Sequence, residues 1–214
     1  MNPTALLIEI FLFVMCISMA ITSGFRSDLK AEQLRLLCEL AMYMLCIGTV
    51  DFVFCRGALA RLGIRPRTNI GLLGILFAPF LHGSWSHLLG NLTTFFILGW
   101  FVMLGGTQEF YTVTIFIALI GGFGVWLFGR PAPHSGASGV IFGYLGFLLV
   151  NGYFESDSLA IVLSTLVGFC YGQLLWLVFP IVKGMSWESH LFGFLSGVLI
   201  ASFLDVLKGI FPMF

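Results

Sequence analysis

From Thr68 to Gln108 the chain carries no Lys, Arg, Asp or Glu. A soluble domain does not run that far without charge, because about a quarter of its residues are charged. Over the whole 214-residue chain only 9% of residues are charged, 59% are hydrophobic, and the mean hydropathy is +1.04. The solvent for most of this chain is therefore lipid. Its apolar runs approach the ~20 residues that a membrane-crossing helix needs.

In order, residues 5–22 form an apolar run interrupted by Glu9. The first 22 residues contain no Lys or Arg, so the run lacks the basic start of a signal peptide and reads as a retained membrane segment. Residues 23–35 are polar, with Arg26, Lys30 and Arg35; residues 36–55 form a second span containing Glu39 and Asp51. Arg56 to Arg67 holds four Arg and no acid. The apolar stretch from Asn69 to Leu81, broken by Gly and Pro79, is too short to span and reads as re-entrant or interfacial. Further spans are expected at about 87–105, 110–129, 138–154, 159–180 and 188–206. The expected fold is all-α and polytopic, divided into an N-terminal membrane segment and linker (1–35) and a core (36–208). No soluble domain is evident, and a net charge of zero gives nucleic acid no purchase. The five Cys are scattered without a CxxC and read as small buried hydrophobes. Orientation is contested. Placing Arg26, Lys30 and Arg35 in the cytoplasm puts residues 56–86 outside, whereas the positive-inside rule alone favours 56–67 inside.

Polar groups inside a membrane protein are costly and mark function. Three groups stand out. Gly136-Ala137-Ser138-Gly139 sets a hydroxyl where a small-residue loop becomes an apolar helix, and Gly139, Gly143 and Gly146 then share one face, a surface for close helix packing. Taken alone, this Ser also reads as one bonded back to a carbonyl. His190 opens another apolar helix, on the face of Gly193 and Gly197. The His82-x4-His87-x3-Asn91 group starts a third. Counting spans sets all three on one side of the membrane. Two His and an Asn without Cys or carboxylate suit hydrogen-bond donation at an oxyanion better than metal binding, so no metal and no cofactor are expected.

In HGSWSHLLGN (82–91), GASGVIFGYLG (136–146) and SHLFGFLSG (189–197), taken together and in this order, the chain resembles the rhomboid intramembrane serine proteases over about 36–206. The resemblance implies six helices around a water-filled cavity opening to the extracytoplasmic side, with 5–22 an additional N-terminal helix and 56–86 a long, partly embedded first loop. It implies Ser138 as nucleophile and His190 as general base. It also implies an oxyanion hole of His82, Asn91 and the Ser138 N–H, with support from His87, Gly136, Gly139, Phe142, Gly193 and Gly197. Many rhomboids carry Trp-Arg in the first loop, where this chain has Leu-Phe-Ala-Pro-Phe (76–80); many carry Tyr four residues after the nucleophile, where this chain has Phe142.

The implied activity is hydrolysis of transmembrane helices of membrane-protein substrates by a Ser-His dyad, in a multi-pass protein of the bacterial cytoplasmic membrane. His134, Ser135, Ser84 and Ser86 are polar residues suited to holding water near the site. Two rivals remain at this stage. One is a rhomboid-like protein that binds membrane helices without cutting them. The other is a transporter using Glu39 and Asp51, which do not share a helix face.

Overall fold

A computed structural model describes residues 28–155 and 157–210. The apolar run at 5–22 lies outside the described residues. The helices are α1 (Asp28–Val50), α2 (Asn69–Phe77), α3 (Trp85–Met103), α4 (Thr107–Phe116), α5 (Gly122–Phe128), α6 (Ser138–Glu155), α7 (Ser158–Tyr171) and α8 (Trp187–Ile210). A π turn over Asp51–Cys55 extends α1, a second over Ile117–Gly121 joins α4 to α5, and a 3-10 stretch over Gly172–Val178 extends α7. Among the described residues, five helical stretches are long and apolar enough to cross a membrane: Lys30–Cys55, Trp85–Met103, Thr107–Phe128, Ser158–Val178 and Trp187–Ile210. The protein is thus an all-helical, polytopic membrane protein, and these stretches follow the expected spans closely. The first begins earlier than expected. Residues 28–35, expected as linker, are the opening turns of α1, where Gln33 donates to Met103 O at 3.3 Å.

Helix α6 is the hub. Ser138 and the run from Val140 to Leu148 are buried, with α8, α7, α3 and the α4–π segment packed around it. Because neighbouring helices shield it, α6 need not be as apolar as a lipid-facing span. It carries polar groups such as Tyr144, whose hydroxyl is 2.7 Å from Thr114 Oγ1. The expected glycine faces are real contacts. A Cβ on Gly193 would stand 2.1 Å from Gly139 O, and one on Gly197 1.9 Å from Gly143 O. One on Gly146 would stand 2.3 Å from Phe194 O, so α6 and α8 touch backbone to backbone. Gly143 itself faces α4's continuation, where a Cβ would meet Ile117 Cγ2 at 2.2 Å.

The short α2 does not span. Thr68 caps it, accepting from Gly71 N–H at 3.1 Å, and Gly74 rests on Gly63 O, where a Cβ would be at 2.4 Å. Its inner face packs on α5, with Ile75 against Gly122, while Ile70, Leu73, Leu76 and Phe77 face outward. At the far end of the bundle Lys208 pairs with Glu109 at 2.7 Å.

One expectation is corrected. Cys38 and Cys46 are exposed on the bundle's outside rather than buried, because lipid supplies the apolar surroundings there. Glu39 is exposed, whereas Asp51 is buried and accepts from Leu59 N–H at 2.9 Å, closing the end of α1. The two acids line no common path.

Candidate active site

Three loops meet at the Ser138 end. An antiparallel bridge joins Ile64 to His134, with Ile64 N–H on His134 O at 2.8 Å and His134 N–H on Ile64 O at 2.9 Å. Gly136, at φ +117°, turns the chain into α6 and donates to Ala78 O at 2.9 Å. Only a residue without Cβ fits there: a Cβ would sit 2.7 Å from His87 Cε1 and 3.2 Å from Asn91 Nδ2. Ser138 is the first residue of α6, so the N–H groups of that turn have no helical acceptor.

A cavity of about 330 Å³ opens here, lined by Ser138, His190, His87, Ser135, Ser186 and neighbouring loop residues. Ser138 and His190 are both buried, and no hydrogen bond joins their side chains. His190 is held on two sides. Its ring stacks on Phe142 with centroids 4.1 Å apart and planes 3° from parallel. Its Nδ1 lies 3.0 Å from Leu177 O. A carbonyl only accepts, so Nδ1 carries the proton and the neutral ring presents a lone pair at Nε2.

The His87/Asn91 group is one turn of α3, which Ser84 caps by accepting from His87 N–H at 3.2 Å. His87 faces the cavity. Asn91 lies beside Gly136, and its Nδ2 is buried with no hydrogen-bond partner among the described residues. His82 sits behind the loop, 1% exposed. Its Nδ1 is 3.3 Å from Phe80 O, and its Nε2 accepts from Ala137 N–H at 3.4 Å. Burial first, then the neighbouring His87, lower its pKa from 6.5 to about 4, against a raising contribution from Phe80 O. At neutral pH it is an uncharged brace for the residue before Ser138. His82 is turned onto the backbone and lines no part of the cavity, whereas His87, expected as support, forms its wall.

Of the residues expected to hold water, Ser135 lines the cavity. His134 does not. It is buried, with Nε2 3.1 Å from Arg130 O and Nδ1 against Ser186 Oγ, which in turn lies 2.7 Å from Ser189 Oγ. Burial first lowers its pKa, partly offset by the bond to Arg130 O. Arg130 also meets Glu188, Nε to Oε1 at 3.4 Å, and donates to Met185 O, so these groups fasten loop 179–186 beside the cavity. Sequence reasoning missed this fastening and the Leu177 carbonyl. The carbonyl leaves no signature, because any residue at 177 supplies one. Among the described residues no group of His, Cys, Asp or Glu is arranged to hold a metal.

The fold and site thus define a polytopic helical membrane protein with a polar, serine-bearing cavity at one end of its bundle. The rhomboid domain family matches residues 70–205, and the chain belongs to the rhomboid family. It is 42% identical over 152 residues to an uncharacterized protein of Mycobacterium tuberculosis (67% of this chain, 63% of that one). It is 40% identical over 159 residues to one of Mycobacterium leprae (70% and 63%). A protein of Acanthamoeba polyphaga mimivirus that bears a rhomboid name is 28% identical over 149 residues (66% and 81%). The chain spans less than two thirds of the length of its mycobacterial relatives.

Proposed function

We propose that this protein is an intramembrane serine endopeptidase that cuts transmembrane helices of other membrane proteins. The observation that carries the reading is the common cavity of Ser138 and His190, each at the start of a helix, with the two helices in backbone contact. A serine hydroxyl is a weak nucleophile until a neighbouring base takes its proton. His190 Nε2, unprotonated because Leu177 O holds the proton at Nδ1, is that base. A backbone carbonyl here does what a carboxylate does in a triad, so the pair works as a dyad. The two side chains draw into hydrogen-bond contact when substrate closes the site, since catalytic bonds are often long before binding.

Attack by Ser138 turns the substrate carbonyl into an oxyanion. The Ser138 N–H, Asn91 Nδ2 and His87 supply donors to it, and the unpartnered state of Asn91 Nδ2 in the free protein supports this role. His82 positions the loop. The substrate helix unwinds locally, because a helical amide is shielded by its own hydrogen bonds. The site opens on the extracytoplasmic face of a bacterial cytoplasmic membrane, and Arg56 to Arg67 lies on that face.

Purified protein is tested with a fluorophosphonate probe and a tagged transmembrane substrate. Wild type labels at Ser138 and cuts; Ser138→Ala and His190→Ala remain folded and cut at background. Failure of wild type to label or cut, with helix-binding retained, establishes the non-proteolytic rival instead.

A further inference from the structure

The three loops at the Ser138 end (56–84, 129–137 and 179–186) contain five Arg and one Lys and no acid. Several of these cations are committed. Arg67 donates to Leu127 O and Gly129 O, each at 3.0 Å. Arg130 is bound to Glu188 and Met185 O. Arg65 is different. Its Nε donates to Arg61 O at 3.0 Å, which orients the guanidinium, while its terminal nitrogens have no partner among the described residues. The backbone beneath it is rigid. Arg65 O accepts from Thr68 Oγ1 at 3.0 Å, and Gly71 lies so close that a Cβ would be 1.9 Å from the same oxygen.

Arg65 forms one wall of a cleft of about 270 Å³, with Pro66, Thr68, Pro131, Ala132 and Pro133. The Ile64–His134 bridge explains the pairing: in an antiparallel pair the residue after Ile64 stands opposite the residue before His134, setting Arg65 across from Pro133. Pro133 also lines the Ser138 cavity. The cleft is therefore the next compartment along the loop from the reacting serine. The prolines offer no N–H there, which leaves the guanidinium as the principal donor.

We propose that Arg65 is a specificity-determining residue that selects substrates bearing an acidic side chain in the extramembrane stretch beside the scissile bond. This rests on the proteolytic reading above. A substrate strand leaving the Ser138 cavity past Pro133 meets an oriented guanidinium, and no acid in these loops competes for it. An Asp or Glu at that point forms a forked pair with the two terminal nitrogens. Arg65 is exposed, so the pair acts as a selector rather than an anchor.

The experiment uses three tagged transmembrane substrates that differ only in carrying Glu, Gln or Lys at the flanking position. They are co-reconstituted in phosphatidylcholine vesicles with wild type, Arg65→Gln, Arg65→Glu or Ser138→Ala protein. Wild type is expected to cut the Glu substrate with a kcat/KM roughly two- to fivefold above the Gln substrate, the size of an exposed ion pair. Arg65→Gln flattens the series, and Arg65→Glu inverts it in favour of Lys. Ser138→Ala cuts none. Cleavage that Ser138→Ala abolishes, but with one substrate order in wild type and Arg65→Glu, overturns this inference and leaves the protease reading standing. A Glu preference that appears only when phosphatidylglycerol is added, and that Arg65→Glu removes without inversion, assigns the cleft to a lipid phosphate and also overturns it. Wild type that cuts no substrate and leaves Ser138 unlabelled overturns both readings.

Discussion

Helix α6 has two very different flanks. Toward α8 it makes backbone contacts through Gly193, Gly197 and Gly146, positions where a single methyl group does not fit. Toward α7 the backbone contact is confined to the end away from Ser138, where a Cβ on Gly152 would stand 2.8 Å from Ala160 O, and a hydroxyl fastens the same place. Ser164 Oγ donates to Leu148 O at 2.6 Å and accepts from Gly152 N–H at 3.0 Å. Most of α7 faces outward, with Phe169 91% and Trp176 67% exposed. The α8 flank is in backbone contact along the helix from the Ser138 end onward, whereas the α7 flank is in backbone contact only at the far end. The proposed dyad straddles the α8 flank: in that reading Ser138 and His190 need a closely held separation, and contact between backbones removes the slack that side-chain rotamers would bring.

The largest effect is expected from breaking the α8 flank. Gly197→Leu drives a side chain into Gly143 O and must part α6 from α8. Thermal unfolding in detergent is expected to show destabilisation beyond the ~1–3 kcal/mol of ordinary overpacking, with cleavage lost altogether. A variant that melts and cuts like wild type removes the backbone contact from the argument.

A smaller effect, confined to chemistry, is expected at Asn91. Its buried Nδ2 has no partner to lose, so Asn91→Ala should unfold at the wild-type temperature. Turnover should fall by about 100- to 1000-fold with little change in KM, as for removal of one oxyanion donor. Equal losses in stability and rate would make Asn91 a structural residue.

The slightest effect is expected on the α7 flank. Ser164→Ala deletes the hydroxyl that fastens α7 to α6, leaving the buried Gly152 N–H to find another acceptor. A loss of about 1 kcal/mol is expected. Turnover should stay within a few-fold of wild type, measured on the same transmembrane substrate. A loss of turnover as deep as that of Gly197→Leu would show that α7 is held as tightly as α8.

Much of this comparison was already legible in the sequence, but unevenly. Hydrophobic run length located the spans, since lipid imposes a fixed thickness on each crossing. Glycines three and four apart announced the α6–α8 contact, because a helix repeats its faces at that spacing. Counting crossings brought Ser138, His190 and the His82–Asn91 group to one end. Which of His82 and His87 lines the cavity was not legible. Both are imidazoles in the same turn-and-helix segment, and which one faces the cavity depends on where Ala78, Phe80 and Ala137 place their backbone groups. The Ile64–His134 bridge joins loops 70 residues apart without any side-chain pattern. Charge gave conflicting advice on orientation, because the arginines of the first loop count against the topology that the spans and the family imply.

The Leu177 carbonyl belongs to the 3-10 extension of α7, the helix that mostly faces outward, yet it decides where the proton of His190 sits. Position and protonation are thereby joined in one degree of freedom. When α7 leans away and takes the carbonyl with it, nothing prefers Nδ1–H over Nε2–H, and an imidazole with hydrogen at Nε2 faces the serine as a donor instead of a base. The tilt of a helix is then read out as a choice of tautomer. A lipid or a bound segment pressing on the outer surface of α7 would, in the proposed mechanism, reach the Ser138 hydroxyl without touching it, through the address of a single hydrogen atom.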